Sequence, residues 1–280
     1  MLPSMSGVKM EAPAISPMLS VDGVTLQYKT EAYLVTATYR VSFDVYPSDR
    51  FVVLGPSGCG KSTLLKAVAG FLKPVEGTIQ LNGRVVDRAG ADRMMVFQEF
   101  DQLLPWKTAL QNVMFPMLVT GRYPGAEARD RAVTALEKVN LSKFRDAYPH
   151  MLSGGMKQRV AIARAMAMEP KILLMDEPFA ALDAMTRRQM QNELLSLWKD
   201  TRFTALFVTH SIEEATIVGS RILILSPHPG RVRAELNSPP FGEDDRNGVA
   251  LKQLTERIHR MLFGDDSHTG TQEAPGGTKE

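Results

Sequence analysis

The chain has 280 residues, a length that suits one large α/β domain or such a domain with one inserted subdomain. Its 33 Lys and Arg residues nearly balance its 31 Asp and Glu residues, and the net charge is only +2. No dense basic block stands out from this balance, so the composition argues against a nucleic-acid partner. The single cysteine, Cys59, excludes an internal disulfide and suits a reducing compartment.

Long apolar stretches are missing from the sequence. No run reaches about 18 apolar residues without charges, and residues 1–17 resemble neither a secretory signal nor a transmembrane helix. We therefore expect a soluble protein that meets a membrane only through a partner. Residues 1–17 and 264–280 are polar and poor in core-forming side chains, which predicts two disordered tails without a site.

The first half of the chain alternates strand patterns with turns. Residues 24–28 and 41–45 alternate apolar and polar side chains, which predicts half-buried strands in a small antiparallel layer. Residues 77–83 are typical of a strand that runs into an Asn-Gly turn. Short apolar runs at 51–54 and 94–97 predict buried strands of a central sheet.

A glycine-rich loop connects the strand at 51–54 to a helix. Its residues are Gly55, Pro56, Ser57, Gly58, Cys59, Gly60, Lys61, Ser62 and Thr63. Glycines let such a loop close around a phosphate, and the helix that follows adds the positive end of its dipole. The pattern predicts a cradle in which Lys61 reaches the terminal phosphates of a nucleoside triphosphate and Ser62 ligates magnesium, while Thr63 supports the helix start. The alternative is a glycine-rich turn with an accidental lysine.

The middle of the chain predicts a helical insertion. Strand patterns disappear between residues 108 and 168, and helical patterns replace them. The predicted helices span residues 109–118, 127–139 and 155–168. The last helix is entered through Ser153, Gly154 and Gly155, where backbone N–H groups have no partner within the helix. These residues form either a second anion site or an ordinary helix cap.

Two adjacent carboxylates end the next apolar strand, at residues 172–175. Side chains alternate across a strand, so Asp176 and Glu177 are expected to differ in role. One can hold magnesium and the other can address an attacking water, although an acidic turn is the alternative. A strand at 204–208 then delivers His210 to the sheet edge at which open α/β folds bind ligands.

In this order and spacing, the elements closely resemble the ATP-binding subunit of an ABC transporter over about residues 20–236. The resemblance assigns the family's Walker A loop to Gly55–Thr63, its Q-loop to Gln98 and its signature motif to Leu152–Met156. It assigns the Walker B strand to Ile172–Glu177, the D-loop to Ala181–Asp183 and the switch histidine to His210. Met156 stands where many members have glutamine, and we expect little loss of chemistry from it. Tyr28 resembles the aromatic residue that stacks on adenine, with Tyr33 as the alternative.

The resemblance also implies a fold and a division of the chain. The implied fold class is α/β, a P-loop (RecA-like) ATPase core with an antiparallel β layer and an inserted α-helical subdomain. The segments are a disordered tail (1–17), the ATP-binding core (18–98 and 169–236), a helical signature subdomain (99–168), a C-terminal helical extension (237–263) and a second disordered tail (264–280). Whether the predicted C-terminal helix, about residues 246–262, is regulatory or only packs stays open.

For nucleotide binding, the resemblance implies ATP and Mg²⁺ as ligands. Lys61 and the loop N–H groups would hold the β- and γ-phosphates. Ser62 and Asp176 would fix magnesium directly or through water, and Gln98 would complete its coordination shell and sense the γ-phosphate. Because Cys59 lies in this loop, we expect a maleimide to react with its thiol and block ATP binding, and bound ATP to protect it.

For hydrolysis, the resemblance implies Glu177 as the catalytic base and His210 as the group that orients the γ-phosphate and the water. Lys61 and Gln98 assist them. Ser153, Gly154 and Gly155 would close over the ATP of a second copy, which sandwiches two ATP molecules in a head-to-tail dimer with Asp183 near the seam.

The implied partners are a second copy of the chain, transmembrane permease subunits and, indirectly, an external solute-binding protein. The protein would then sit at the cytoplasmic face of the inner (plasma) membrane. Segments 96–106 and 226–231 look most like the importer branch for nitrate, sulfonate, taurine and related solutes. The candidate permease groove comprises Phe100, Leu103, Leu104, Trp106 and Phe115, of which Trp106 is the first choice; the alternative is that these side chains form the core of the insertion.

Three alternatives remain. An exporter subunit is one, although such subunits are often fused to membrane segments. A nucleic-acid-acting ABC ATPase would need a long coiled-coil insertion or a second Walker A loop, and the sequence has neither. A P-loop kinase for a metabolite would need neither the Ser-Gly-Gly signature nor the switch histidine.

Overall fold

The computed structural model describes residues 16–29, 34–98, 102–238 and 248–264. These residues form ten strands and seven α-helices. The strands are β1 Leu19–Lys29, β2 Leu34–Val45, β3 Arg50–Leu54, β4 Glu76–Leu81, β5 Arg84–Val85, β6 Arg93–Val96, β7 Ile172–Asp176, β8 Ala205–Thr209, β9 Arg221–Leu225 and β10 Val232–Asn237. The helices are α1 Lys61–Ala69, α2 Ala109–Val119, α3 Gly125–Lys138, α4 Gly154–Ala167, α5 Ala184–Thr201, α6 Ile212–Val218 and α7 Val249–Phe263.

The central sheet has six strands in the order β10-β9-β3-β8-β7-β6. Its five inner and edge strands β9, β3, β8, β7 and β6 run parallel, and β10 pairs antiparallel with β9. Every residue of β3, β7 and β8 is buried, which explains their continuous apolar runs. Leu54 pairs with Thr209 and Asp176 with Val208, so these three strands end at the same level. The loops that follow them therefore share one edge of the sheet.

The smaller sheet is antiparallel, in the order β2-β1-β4-β5, and confirms the predicted antiparallel layer. It packs with α1 against one face of the central sheet, where Phe51 and Val53 of β3 meet Leu64 and Leu65 of α1 in one apolar core. The turn between β4 and β5 is the predicted Asn-Gly turn. Asn82 and Gly83 both have positive φ, as a tight hairpin of this type requires.

Three helices, α2, α3 and α4, pack against one another, and α4 also contacts β6 at the edge of the central sheet. Their bounds lie within about two residues of the predicted ones. Thr108 and Gln111 form a reciprocal capping box at the start of α2. The buried Asn112 accepts from the N–H of Leu104 (2.8 Å) and donates to the carbonyls of Leu104 and Lys107 (3.1 and 3.0 Å), which fixes the loop before α2. The boundaries of the five predicted segments stay a prediction.

The last helix, α7, packs on α6 through the buried side chains of Leu251 and Ile258. Arg233 of β10 donates to the carbonyls of Met261 and Leu262 at the end of this helix. The predicted helix at 246–262 is confirmed as Val249–Phe263, and the residues assigned to the two tails lie largely outside the described ones. Across the described residues, no helix combines the length and apolarity needed to cross a membrane.

Candidate functional site

The loop after β3 has the backbone conformation that its glycines predict. Gly58 and Gly60 adopt φ of +79° and +96°, which favour glycine. A Cβ at Gly60 would lie 2.5 Å from the carbonyl oxygen of Ala37, so the close approach of β2 also requires glycine there. Gly60 caps α1 without a side chain, and no side-chain acceptor from the cap meets the first-turn N–H groups. These groups are available to an anion.

Lys61 is the first residue of α1 and is almost fully buried. Its ammonium donates to the carbonyl oxygens of Gly55 and Pro56 at 2.8 and 2.9 Å. The side chain therefore folds back along its own loop, which places a positive charge next to the unpaired N–H groups. This combination of donors and charge fits the phosphates of a nucleotide.

Ser62 and Asp176 come together from α1 and β7. The Ser62 hydroxyl donates to Oδ1 of Asp176 at 2.8 Å. Burial raises the pKa of the Asp176 carboxyl, and the Ser62 hydrogen bond opposes that rise. Hydroxyl and carboxylate oxygens are hard donors that suit Mg²⁺. In the described part of the chain, no group of three or more His, Cys, Asp or Glu could hold a metal, so Mg²⁺ here would share its coordination with phosphate oxygens and water.

Glu177 and His210 form a second pair at the same sheet edge. Oε2 of Glu177 lies 3.0 Å from Nδ1 of His210, and the Glu177 N–H donates to the carbonyl of Val208 (3.0 Å). Glu177 adopts φ of +41°, a conformation that costs a non-glycine residue free energy and recurs at functional sites. The adjacent carboxylates thus have different partners, Ser62 for Asp176 and His210 for Glu177, as the strand alternation predicts.

The start of α4 lies beside the start of α5. The hydroxyl of Ser153 accepts from the N–H of Met156 (3.3 Å) and caps α4. Asp183 caps α5 by accepting from the N–H groups of Met185 and Thr186. The hydrogen bond from the Thr186 hydroxyl, together with these backbone bonds, lowers the pKa of Asp183. A Cβ on Gly155 would lie 2.9 Å from Cγ2 of Thr186. The two caps therefore belong to one surface of the molecule.

Comparison with known proteins assigns the chain to a family. Residues 38–180 match the family model described as ABC transporter. The chain is 50% identical over 224 residues to the taurine import ATP-binding protein TauB of Rhizobium johnstonii, a match that spans 79% of this chain and 84% of the relative. This chain belongs to the ABC transporter family. It is also 42% identical over 233 residues to the bicarbonate transport ATP-binding protein CmpD of Synechocystis sp., over 82% of each.

Solved structures of ABC cassettes share the fold. The ATP-binding cassette MJ0796, a dimer in a post-hydrolysis state with ADP and Pi, matches with a TM-score of 0.69 and 34% identity over 80% of this chain and all of its own. The cassette cbiO1 of Clostridium perfringens matches with a TM-score of 0.72 and 28% identity over 88% of this chain and 97% of its own. The predicted P-loop ATPase fold is confirmed, and this ABC subunit is an ATPase that binds nucleotide.

Two other predicted site residues of this ABC subunit, Tyr28 and Gln98, lie exposed at the surface. Tyr28 is about half exposed on β1, and its adenine role stays a prediction; Tyr33 lies outside the described residues. Gln98 follows β6 and is exposed. Just before it, Phe97 exchanges two backbone hydrogen bonds with the side chain of Gln102 (3.2 and 2.9 Å). Arg164 of α4 donates to the backbone carbonyl of Gln102 (2.7 Å). Helix α4 is therefore linked through Gln102 to Phe97, the residue before Gln98.

Cys59 corrects one expectation from the sequence. Its side chain is fully buried in the core beneath the loop, and Sγ lies 2.8 Å from where a Cβ on Gly55 would be. Burial raises the pKa of the thiol above its ordinary value, although Lys61 opposes the rise. Ready reaction with a maleimide was therefore the wrong expectation. The sequence places Cys59 in the loop, but the loop turns this one side chain inward.

The candidate permease groove is also corrected in part. Leu103 is buried and packs in the helical core, which makes it a structural residue. Trp106 is 69% exposed and Phe115 is 37% exposed, while Leu104 is half-buried. Phe100 lies outside the described residues. Exposure of a large aromatic ring next to α2 agrees with the choice of Trp106.

Sequence reasoning missed several residues whose side chains form hydrogen bonds with the segments around the site. They are Gln102, Arg164, Arg187 and Glu214. Glu214 is a buried charged side chain and Arg164 a half-buried one, and each lies in a helix that otherwise buries apolar residues. Such a charge on the buried side of a helix is the signal that could have found them. Nothing in the spacing indicates their partners.

Proposed function

We propose that this ABC subunit hydrolyses ATP to power the import of a small solute. The observation that carries the proposal is the placement of two polar pairs, Ser62 with Asp176 and Glu177 with His210, at one sheet edge beside the loop of Lys61. Import, and a small anionic or zwitterionic solute of the nitrate, sulfonate and taurine kind, are supported by the relatives named for taurine import and bicarbonate transport.

For binding, the loop Gly55–Thr63 holds the β- and γ-phosphates through its N–H groups, and Lys61 contributes its charge. Ser62 and Asp176 would hold Mg²⁺ directly or through water, and Gln98 would complete its coordination shell. Magnesium, when bound, neutralises charge on the phosphate oxygens. Tyr28 stacks on the adenine ring, for which its half-exposed position on β1 leaves a face accessible.

For hydrolysis, Glu177 accepts a proton from the attacking water. His210 holds Glu177 through Nδ1 and presents its other nitrogen to the γ-phosphate and the water. Little covalent chemistry is required in phosphoryl transfer, so positioning and charge neutralisation by Lys61 and Gln98 supply most of the catalysis.

The second half of each site comes from a second copy. Ser153, Gly154 and Gly155 present the unpaired N–H groups of α4 and its dipole to an anion, and Asp183 lies next to them through Thr186. A head-to-tail dimer would set this helix start against the γ-phosphate of the partner's ATP. The dimeric cassette of similar fold supports this arrangement.

Dimer closure would draw the two helical segments, residues 99–168, together and pull on a permease bound to them. Transmembrane permease subunits, and through them an external solute-binding protein, are the proposed partners. The subunit would then lie at the cytoplasmic face of the inner (plasma) membrane. The exposed Trp106 is the proposed contact with the permease.

The test combines two substitutions and measures mass by light scattering with ATP and magnesium. Glu177→Gln keeps the size of the side chain and removes the base, so hydrolysis should stop while ATP stays bound and locks a dimer. Ser153→Arg added to Glu177→Gln should abolish dimerisation and leave ATP binding to each monomer intact.

Two results would contradict the proposal. Normal hydrolysis by Glu177→Gln would remove the base assignment. A double variant that still dimerised with ATP would remove the shared site, and with it the coupling of closure to transport.

A further inference from the structure

A buried carboxylate outside the assigned motifs lies directly behind His210. Glu214 is in the first turn of α6 and is 5% exposed. Its Oε2 accepts a hydrogen bond from the hydroxyl of Thr209 at 2.7 Å. The same hydroxyl oxygen of Thr209 accepts from the N–H of Ser211 at 3.1 Å. Thr209 thus holds the backbone on both sides of His210, and Glu214 fixes Thr209.

Arg187, in the first turns of α5, connects this carboxylate to the loop after β7. Its Nη2 donates to the carbonyl of Leu182 at 2.9 Å, and its Nε donates to the carbonyl of Phe179 at 3.3 Å. The same Nε lies 3.7 Å from Oε1 of Glu214. The guanidinium therefore touches two carbonyls of the segment that ends at Asp183 and one carboxylate of α6.

The charges of these side chains depend on each other. Burial raises the pKa of Glu214, and the Thr209 hydroxyl and the Arg187 charge both oppose this rise. A buried carboxylate is costly unless a partner compensates it, and the planar fork of arginine can serve several acceptors at once. Loss of Arg187 would leave Glu214 without its compensating cation and the two loop carbonyls without their donor.

We propose that Arg187 and Glu214 are positioning residues for ATP hydrolysis, which tie the segment 179–183 to Thr209 and so fix His210 relative to Glu177. The pair passes any displacement of Asp183, at the proposed seam of the dimer, to the His210 side of the site. This inference rests on the proposed roles of Glu177 and His210.

The first experiment compares Thr209→Val with Thr209→Ser in the full chain. Valine keeps the shape of the side chain and the preference for a strand but removes the hydroxyl, whereas serine keeps the hydroxyl. Thr209→Val should lower kcat roughly ten- to a hundredfold, the scale expected for a displaced catalytic group, with KM for ATP within about threefold. Thr209→Ser should retain most of the rate. Equal kcat values for the two variants would overturn the proposal.

The second experiment is a double-mutant cycle on kcat with Arg187→Gln, Glu214→Gln and both together. If the two side chains act as one unit, the double variant should be no slower than the slower single variant, because either change already breaks the link. Glu169→Gln, which removes a partner of Arg131 far from this edge, is the matched control and should leave kcat unchanged. Losses in kcat that multiply in the double variant, or a Glu214→Gln variant with normal kcat, would contradict the proposal.

Measurements of melting temperature and of kcat distinguish a purely structural role from a positioning role. A purely structural role would change the melting temperature without changing kcat per folded molecule. If Arg187→Gln does not fold, Arg187→Lys takes its place in the cycle, because lysine keeps the charge but cannot serve both loop carbonyls. If Glu177→Gln stops hydrolysis but the Arg187 and Glu214 variants keep a normal kcat, this inference alone is overturned. If Glu177→Gln hydrolyses ATP normally, the base assignment on which the inference rests is overturned.

Discussion

Nδ1 of His210 lies 3.0 Å from Oε2 of Glu177, and the two residues directly follow the paired parallel strands β8 and β7. A carboxylate can only accept a hydrogen bond, so the proton of this contact is on Nδ1 of the imidazole. His210 is about half exposed, whereas the carboxylate of Glu177 is mostly buried. The histidine therefore connects the buried carboxylate of Glu177 to the open side of the site.

His210→Ala should lower kcat by about a hundredfold or more, because Glu177 loses the group that holds it and the site loses the group proposed to orient the γ-phosphate and the water. ATP affinity should change little, since the cradle of Lys61 is untouched. Steady-state ATPase assays and nucleotide titrations measure the two effects. Adding His210→Ala to Glu177→Gln should cost little more than Glu177→Gln alone, because residues that act as a unit are not additive. Unchanged kcat in His210→Ala would refute the pairing.

The sequence predicts which candidate site residues come together at one edge of the sheet. Lys61, Ser62, Asp176, Glu177 and His210 follow strands whose apolar runs are visible, and a parallel sheet collects the loops after its strands at one edge. Strands β3, β7 and β8 end at the same height in the sheet, so the short loops after them meet. This explains the contacts of Ser62 with Asp176 and of Glu177 with His210.

Side-chain direction within a loop or between helices is harder to predict. Cys59 follows three loop residues that face outward or lie at the surface, and only packing beneath the loop buries its thiol. Leu103 and Trp106 lie three residues apart in an irregular segment without a period, so the pattern cannot separate core from surface. Arg187 and Glu214 meet through tertiary packing of α5 and α6, which no local spacing encodes.

Ser62→Ala should weaken the affinity for ATP in the presence of Mg²⁺ and leave the affinity in a chelator nearly unchanged. The reason is that, in the proposed site, Ser62 and Asp176 would supply oxygens to the metal, whereas Lys61 and the loop N–H groups would bind phosphate. Titration of a fluorescent ATP analogue with magnesium and then with EDTA measures both affinities. Thr63→Ala, one position along α1, is the control. An equal loss in both conditions would argue against a metal role for Ser62.

Cys59 should react slowly with a maleimide in the native protein, at less than about one hundredth of the rate in denaturant, because the thiol is buried and its pKa is raised. Mass spectrometry gives an unambiguous count, since Cys59 is the single cysteine of the chain. Urea should accelerate labelling in step with unfolding. Rapid labelling at full native circular dichroism would contradict the buried position.

Gly155→Ala should lower the melting temperature, because the new methyl would lie 2.9 Å from Cγ2 of Thr186, and overpacking of this kind costs about 1–3 kcal/mol. Thr186→Ser removes that methyl and keeps the hydroxyl that donates to Asp183 (2.6 Å), so it should restore stability to the double variant. Gly125→Ala, at the start of α3 where a Cβ would meet open space, is the control. ATPase assays on the rescued variant then show whether Gly155 also has a role towards the nucleotide: recovery of stability without recovery of activity would indicate one.

Trp106→Ala should weaken association with the permease subunits while the ATPase rate of the isolated subunit stays near normal, because its ring is 69% exposed and removing it disturbs no core. Leu103→Ala provides the contrast: Leu103 is buried in the helical core, so its truncation should lower stability by roughly 2–5 kcal/mol. Urea unfolding of both variants, together with co-purification on permease reconstituted in nanodiscs, separates docking from folding. A Trp106→Ala variant that is less stable to urea but binds the permease with wild-type affinity would place Trp106 in the core and remove it from the docking surface.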